Sequence, residues 1–150
     1  MADPIGFSAT TARFNLPFLH AAQTQKEFFV NEAHVVLDAL LHPVAQGVAS
    51  QPPQAPASGE CWIVATGGQN AFEGYDEKIA CYHEGQWLFS APVPGMRVFN
   101  LATATFLHFT NGWDAIGAID APAGGSNVDG EARDAIANII DALKRSGITA

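Results

Sequence analysis

Three ionisable side chains share one side of a predicted helix and are the first candidates for chemistry. His34, Asp38 and His42 follow one another at intervals of four residues, which places them along one helix face. Imidazole and carboxylate groups are zinc ligands, and a structural zinc site uses four ligands. No fourth ligand is evident, because His20 would have to fold back from the preceding segment. We therefore expect no metal and interpret the three side chains as the polar edge of the helix.

The second candidate for chemistry is an acidic stretch that contains Glu73, Asp76, Glu77 and Glu84. Two carboxyl groups held about 5–9 Å apart can hydrolyse a glycosidic bond. Nothing in the sequence pairs these groups, so a solvated loop and strand end is the favoured interpretation. The sequence also lacks the motifs of P-loops, dinucleotide sites, serine hydrolases, zinc proteases and EF-hands. We expect no enzyme activity, no catalytic residue and no cofactor.

Aromatic side chains are frequent in the central part of the chain. For each of them a place in the core is the favoured interpretation, because aromatic rings bury large apolar surfaces. One or two exposed rings would instead form a surface on which sugar rings can stack. The candidate glycan-binding side chains are Phe72, Tyr75, Trp87 and Trp113.

The two cysteines, Cys61 and Cys81, lie in two segments that are predicted to be strands. They could pair across adjacent strands. Free cysteine is also among the most buried residue types and behaves as a small apolar side chain. We favour buried and unpaired thiols.

These side chains must be positioned by an α+β fold. Thr24 and Glu27 form a capping box, and the apolar spacing that follows predicts a helix over 23–42, because Pro43 disfavours helical geometry before it. Ser126 and Asp129 can both cap a second helix, and Gly147 is its C-terminal stop. The remaining segments are short apolar runs bounded by glycine, which predict a small antiparallel β-meander, with hairpin turns at Glu84-Gly85 and Asn111-Gly112. The predicted order is an extended arm (1–22), a helix (23–42), a Pro-rich linker (43–60), an antiparallel β unit (61–122) and a C-terminal oligomerising helix (126–147).

The arm and both helices carry more apolar surface than one domain needs. The first helix has one apolar stripe that includes Phe29 and Leu37, and further apolar residues on another side. The second helix repeats apolar residues at intervals of 4, 3 and 4, which is the seam of a coiled coil. Two heptads are too short for an isolated coiled coil, so this helix needs a partner, which could be the first helix or its copies in other subunits, and a homo-oligomer is expected. The predicted interface residues are Phe7, Phe14, Leu16, Phe18, Leu19, Phe28, Val35, Ala132, Ile136, Ile139 and Leu143.

Composition excludes several classes of partner. The chain of 150 residues has a formal net charge of −8. Nucleic-acid binding needs basic groups that displace counterions from phosphates, so we expect no nucleic-acid partner. No apolar run approaches the roughly 20 residues of a membrane span, and the N-terminus lacks the pattern of a signal peptide, so no membrane insertion is expected.

A long segment of the sequence resembles a phage-associated family of domains of unknown function. Residues 11–46 read TARFNLPFLHAAQTQKEFFVNEAHVVLDALLHPVAQ. Members of that family commonly carry the pattern TARLxLPxLxxxQxQKExxxNEAxxxLDALxxP. The later family segment GxWxF.xPxxGxR is matched by Gly85, Trp87, Phe89, Pro92, Gly95 and Arg97.

The resemblance implies a structural role. Members of the family occur in the structural clusters of tailed phages and in gene transfer agents, where they are similar to head-spike and tail-fibre proteins that serve host attachment. It therefore implies a virion protein, assembled in the bacterial cytoplasm, that acts as the base or adaptor of a spike or fibre. Its partners would be copies of itself and other virion proteins. The alternative is a carbohydrate-binding module that recognises host capsular polysaccharide.

Overall fold

The computed structural model describes residues 9–19, 26–126 and 128–150, and it divides the chain into two compact units, Met1–Pro92 and Val93–Ala150. In this part of the chain two α-helices and eight strands form an α+β fold, as predicted. The elements of the first unit are α1 (Lys26–Leu40), β1 (Val44–Ala45), β2 (Val48–Ala49), β3 (Cys61–Val64), a short 3-10 helix (Asn70–Phe72), β4 (Ile79–His83) and β5 (Gln86–Ser90). Those of the second are β6 (Arg97–Asn100), β7 (Thr105–Phe109), β8 (Trp113–Ala115) and α2 (Gly130–Arg145).

The sheet of the first unit has the strand order β2-β3-β4-β5. The pairs β3–β4 and β4–β5 are antiparallel, as predicted, but β2 pairs with β3 in parallel, which the predicted meander did not include. The backbone N–H groups of Ile63 and Ala65 donate to the carbonyl oxygens of Gly47 and Ala49. The parallel pair arises because the Pro-rich loop after β2 returns the chain to the start of β3. The segment 43–60, predicted as a linker, thus contains two short strands.

The side chains of this sheet separate onto two faces by the alternation of the strands. One face carries an aromatic core of Trp62 and Phe72, against which Trp87 and Phe89 pack. The neighbouring residues along β3 and β4 point to the other face, where Cys61, Ile63, Ile79 and Cys81 are buried. Helix α1 lies against β4. All four residues of β3 are buried because both faces of this strand are covered.

The two predicted hairpin turns differ in the structure. Glu84 and Gly85 both have positive φ, and His83 pairs with Gln86, which confirms the predicted two-residue turn. The second hairpin is closed by three residues, 110–112, because Phe109 pairs with Trp113. The Asn111-Gly112 step does not adopt the positive φ values that we expected there.

The second unit combines the antiparallel sheet β6-β7-β8 with α2. The strands predicted as one β unit over 61–122 are therefore divided between the two units. The carboxylate of Asp129 accepts the N–H of Ala132 at 3.0 Å, and Gly147, with φ +68°, ends the helix as predicted. The N–H of Ile148 donates to the carbonyl of Leu143, and that of Gly147 to Lys144, which satisfies the last turn. The carbonyl of Gly147 then accepts the N–H of Phe106 in β7.

We predict that Gly68→Ala destabilises the first unit. A Cβ atom at this position would lie 2.3 Å from the backbone oxygen of Phe72 and 2.9 Å from its carbonyl carbon. Because backbone atoms cannot rotate away, the free energy of unfolding should fall by about 1–3 kcal/mol, measured by urea denaturation. Gly130→Ala is the control, since a Cβ there meets nothing within 4 Å. Equal stability of the two variants would contradict the close approach at Gly68.

Candidate interaction site

The described part of the arm is a closed loop, not the extended segment that the sequence predicted. Thr10 and Pro17 form an antiparallel bridge, and the N–H of Thr11 donates to the carbonyl of Leu16 at 2.9 Å. Asn15 adopts a φ of 54° at the tip, a conformation that asparagine tolerates better than most residues. Residues 9–19 therefore form a compact element that can dock as a unit.

Asp38 binds this loop from helix α1. Its carboxylate accepts hydrogen bonds from the Thr11 hydroxyl at 2.7 Å, the Arg13 N–H at 2.9 Å and the Phe14 N–H at 2.7 Å. Asp38 is only 3% exposed. A buried carboxylate is costly unless donors replace the lost water, and here three donors do so.

Arg13, in turn, donates hydrogen bonds from the arm to the helix. Its guanidinium donates to the carbonyl oxygens of Asp38, Ala39 and His42, which lie at the end of α1. The last carbonyl groups of a helix have no partner within the helix, and a cation is favourable beside them. Arg13 therefore acts as the C-terminal cap of α1.

Two further side chains of α1 hold the rest of the loop. The Asn31 side chain accepts the N–H of Leu19 at 2.8 Å and donates to the carbonyl of Leu19 at 3.1 Å. Nδ1 of His34 lies 2.9 Å from the carbonyl oxygen of Pro17. We call the contacts of Arg13, Asn31, His34 and Asp38 between loop and helix the arm clasp.

The side chains considered above as metal ligands thus serve this clasp, with the His42 ring 5.8 Å from that of Phe14. Among the described residues, no group of three or more His, Cys, Asp or Glu side chains is placed to hold a metal.

The clasp sets which face of α1 is exposed. Val35, predicted as an interface residue, is buried in the first unit. Asn31, His34 and Asp38 must face the arm, and this fixes the rotation of α1 that buries Val35. Conversely, Phe29 and Leu37, which belong to the first apolar stripe of α1, are exposed, Phe29 at 78%. Phe28, a predicted interface residue, is also exposed, at 68%.

The other predicted interface residues of the arm differ in exposure. Phe14 is exposed, whereas Leu16, Phe18 and Leu19 are half-buried by the loop and the helix. Phe7 lies outside the described residues.

Helix α2 leaves most of its predicted seam at the surface of the second unit. Ala132, Ile136 and Ile139 are exposed, with Ile139 at 59%, and Leu143 is half-buried. Of the residues of α2 only Ile140, one turn after Ile136 at the edge of this seam, is buried.

The four candidate glycan-binding side chains are in different environments. Phe72 is fully buried, so its ring has no face for a sugar and it belongs to the core. Trp87 is half-buried, and its ring centroid lies 5.0 Å from that of Phe72 in an edge-to-face contact. Tyr75, at 36% exposure, stacks on Phe89 with the ring centroids 3.6 Å apart. Trp113 is half-buried beside Phe109, in the second unit.

A cleft of about 670 Å³ lies in the first unit, between the arm, α1 and the β4–β5 hairpin. Phe18, Phe28 and Leu88 contribute apolar walls, and Asn31 and Glu32 contribute polar groups. Trp87 borders the cleft too, but its ring packs on Trp62 and Phe72 on the opposite face of the sheet. The cleft is therefore mixed in polarity.

The acidic stretch is mainly solvated. Glu73, Asp76 and Glu84 are exposed, and Glu77 is half-buried. The Asp76 carboxylate accepts the N–H groups of Gly67 and Gly68 at 3.0 and 2.9 Å, which lowers its pKa below the usual value. Asp76 thus closes a loop of the first unit.

Cys61 and Cys81 are free and buried, as predicted.

In the described part of the chain, no helix combines the length and apolar character required to cross a membrane.

Comparison with known proteins identifies one family. Residues 30–114 match the model of a family described as "Protein of unknown function (DUF2793)". The match begins inside α1 and ends in β8, so it covers more than half of the chain and both sheets. No curated protein matches the sequence.

We predict that Asp38→Asn opens the arm clasp. An amide has one acceptor oxygen and one donor nitrogen, so at least one of the arm N–H groups would face a donor. The free energy of unfolding should fall by about 1–3 kcal/mol, and the amides of Arg13 and Phe14 should lose protection in hydrogen exchange.

The matched control is Asp134→Asn, which makes the same change at an exposed position of α2. This variant should keep the wild-type stability and the protection of the arm amides. Unchanged protection of those amides in Asp38→Asn would contradict the role assigned to Asp38.

Proposed function

We propose, from the premise that this chain belongs to the DUF2793 family of proteins of unknown function, that it is a structural virion protein. In a phage-like particle or gene transfer agent it acts as the base or adaptor of a head spike or tail fibre that contacts the host envelope. The observation that carries the proposal is the apolar surface left on both helices. Exposed apolar patches of this kind mark surfaces that bind other proteins.

Helix α2 supplies the self-association surface. Ala132, Ile136 and Ile139 follow the spacing of a coiled-coil seam and are exposed in the second unit. Such seams are buried when the same helices of several copies pack around a common axis. Spikes and fibres are built on symmetry axes, and homo-oligomers with closed symmetry are the commonest assemblies.

Helix α1 supplies a second surface, for other virion proteins. The arm clasp holds this helix on the first unit while Phe28, Phe29 and Leu37 stay exposed. A helix that is capped by Arg13 and anchored by Asp38 presents these side chains in fixed positions. Preformed surfaces bind with a smaller entropic cost than flexible ones.

A carbohydrate-binding module is the second candidate function. It is supported by the partly exposed ring of Tyr75, over which the ammonium group of Lys78 lies at 5.0 Å from the ring centroid. An array of bacterial capsular polysaccharides tests this function. Binding that is abolished in Tyr75→Ala, with the fold retained, supports it, and absence of binding to the array removes it.

We predict that Ile136→Asp combined with Ile139→Asp prevents self-association. Light scattering on a sizing column should give a closed oligomer for the wild type and the monomer mass of 15.8 kDa for the variant. Charged groups buried at a seam lose their hydration without gaining a partner, which explains the expected loss.

The control carries two aspartates on another side of α2, Asn138→Asp with Ala142→Asp, both at exposed positions. It should keep the mass of the wild type. A double seam variant that still assembles would exclude α2 as the oligomerisation surface. A monomeric wild type would remove self-association from the proposal.

A further inference from the structure

Cys61 and Cys81 lie directly opposite each other in the antiparallel pair β3–β4. The backbone hydrogen bonds between these strands are made at alternate positions. The Tyr82 N–H donates to the carbonyl oxygen of Glu60, and the Val64 N–H donates to that of Lys78. The carbonyl of Cys61 points away from β4 and accepts the N–H of Gln46 at 2.8 Å. The two cysteines therefore form a pair without mutual backbone hydrogen bonds.

This type of pair brings side chains closest together. Opposed Cα atoms without mutual hydrogen bonds are about 4.5 Å apart in antiparallel sheets. Disulfides span Cα distances of about 4.4–6.8 Å. The strands can therefore accept a disulfide between Cys61 and Cys81 without a change of register.

The two thiols also differ in reactivity. Interaction between the two neighbouring thiols raises the pKa of Cys61 and lowers the pKa of Cys81, and the Cys61 thiol donates to the carbonyl oxygen of Gly59 at 3.7 Å. Burial and the charge of Asp38 oppose the lowering at Cys81, and the positive charge of Arg13 lowers the pKa of both thiols. The thiolate is the nucleophilic form of cysteine, so Cys81 is the attacking sulfur.

We infer that Cys61 and Cys81 are a redox pair that a small hydroperoxide converts to a cross-strand disulfide. The Cys81 thiolate attacks one oxygen of hydrogen peroxide, the O–O bond breaks, and the leaving hydroxide takes up a proton to form water. Cys81 is then a sulfenic acid. The Cys61 sulfur loses its proton and attacks the Cys81 sulfur, the S–O bond breaks, and a second water leaves. In total, two thiols and one peroxide give one disulfide and two waters.

The position of the pair determines the consequence. Both thiols are buried in the first unit, where β3 and β4 lie in the middle of the sheet. Burial excludes large oxidants and favours a small one such as hydrogen peroxide. A covalent link between β3 and β4 closes a chain segment that includes the Asp76 loop, and it restricts the unfolded chain. Oxidation should therefore stabilise the first unit reversibly.

The test uses the full chain, reduced and freed of reductant, and treated with hydrogen peroxide in native buffer. We expect the intact mass to fall by two hydrogen atoms, a peptide that links Cys61 to Cys81, and no free thiol after denaturation. The urea midpoint should rise, and dithiothreitol should return it to the starting value. Free thiols after treatment, a disulfide between chains, or an internal disulfide formed only in urea would each overturn the inference.

Two single variants test the assigned order of attack. Cys61→Ser leaves Cys81 without its partner, so the peroxide product should be a sulfenic acid that dimedone labels at Cys81. Cys81→Ser leaves the less acidic thiol, which should react several-fold more slowly. Equal rates for both variants, or faster labelling of Cys61, would overturn the assignment of Cys81 as the attacking sulfur. Double replacement by alanine should abolish the redox shift of the urea midpoint.

Discussion

The exchange of hydrogen bonds between Asp38 and the arm loop is the contact on which the first unit depends. A buried carboxylate needs donors, and the arm supplies three of them. The end of α1 needs donors for its free carbonyl groups, and Arg13 of the same loop supplies them. Each element therefore satisfies polar groups that the other would otherwise leave unpaired, so loop and helix are stable together.

The same contact determines what α1 presents to a partner. With Asn31, His34 and Asp38 turned to the arm, the geometry of the helix directs Val35 and Ala39 into the first unit. Phe29 and Leu37 are then left outside. The apolar outer face supports the proposed role in assembly, because it lies on a helix that the clasp holds in place.

In the sheet of the first unit, successive side chains along each strand point to opposite faces. Trp62, Phe72 and Trp87 share the aromatic face, so two of the four rings considered for glycan binding, Phe72 and Trp87, belong to the core. Cys61 and Cys81 share the other face, where their opposition creates the proposed redox pair. One register thus determines both the composition of the core and the chemistry of the cysteines.

Local features of the fold could be predicted from the sequence. The α+β class, the Glu84-Gly85 turn, the Asp129 cap and the Gly147 stop depend on residues that are neighbours in the chain. The parallel β2–β3 pair, the closed arm loop and the exposed face of α1 were decided by the tertiary structure. They depend on hydrogen bonds between distant residues, such as Arg13 and Asp38. The spacing of apolar residues in the sequence predicts that α1 is a helix with two apolar sides. Which of these sides is buried depends on the tertiary contacts of the helix.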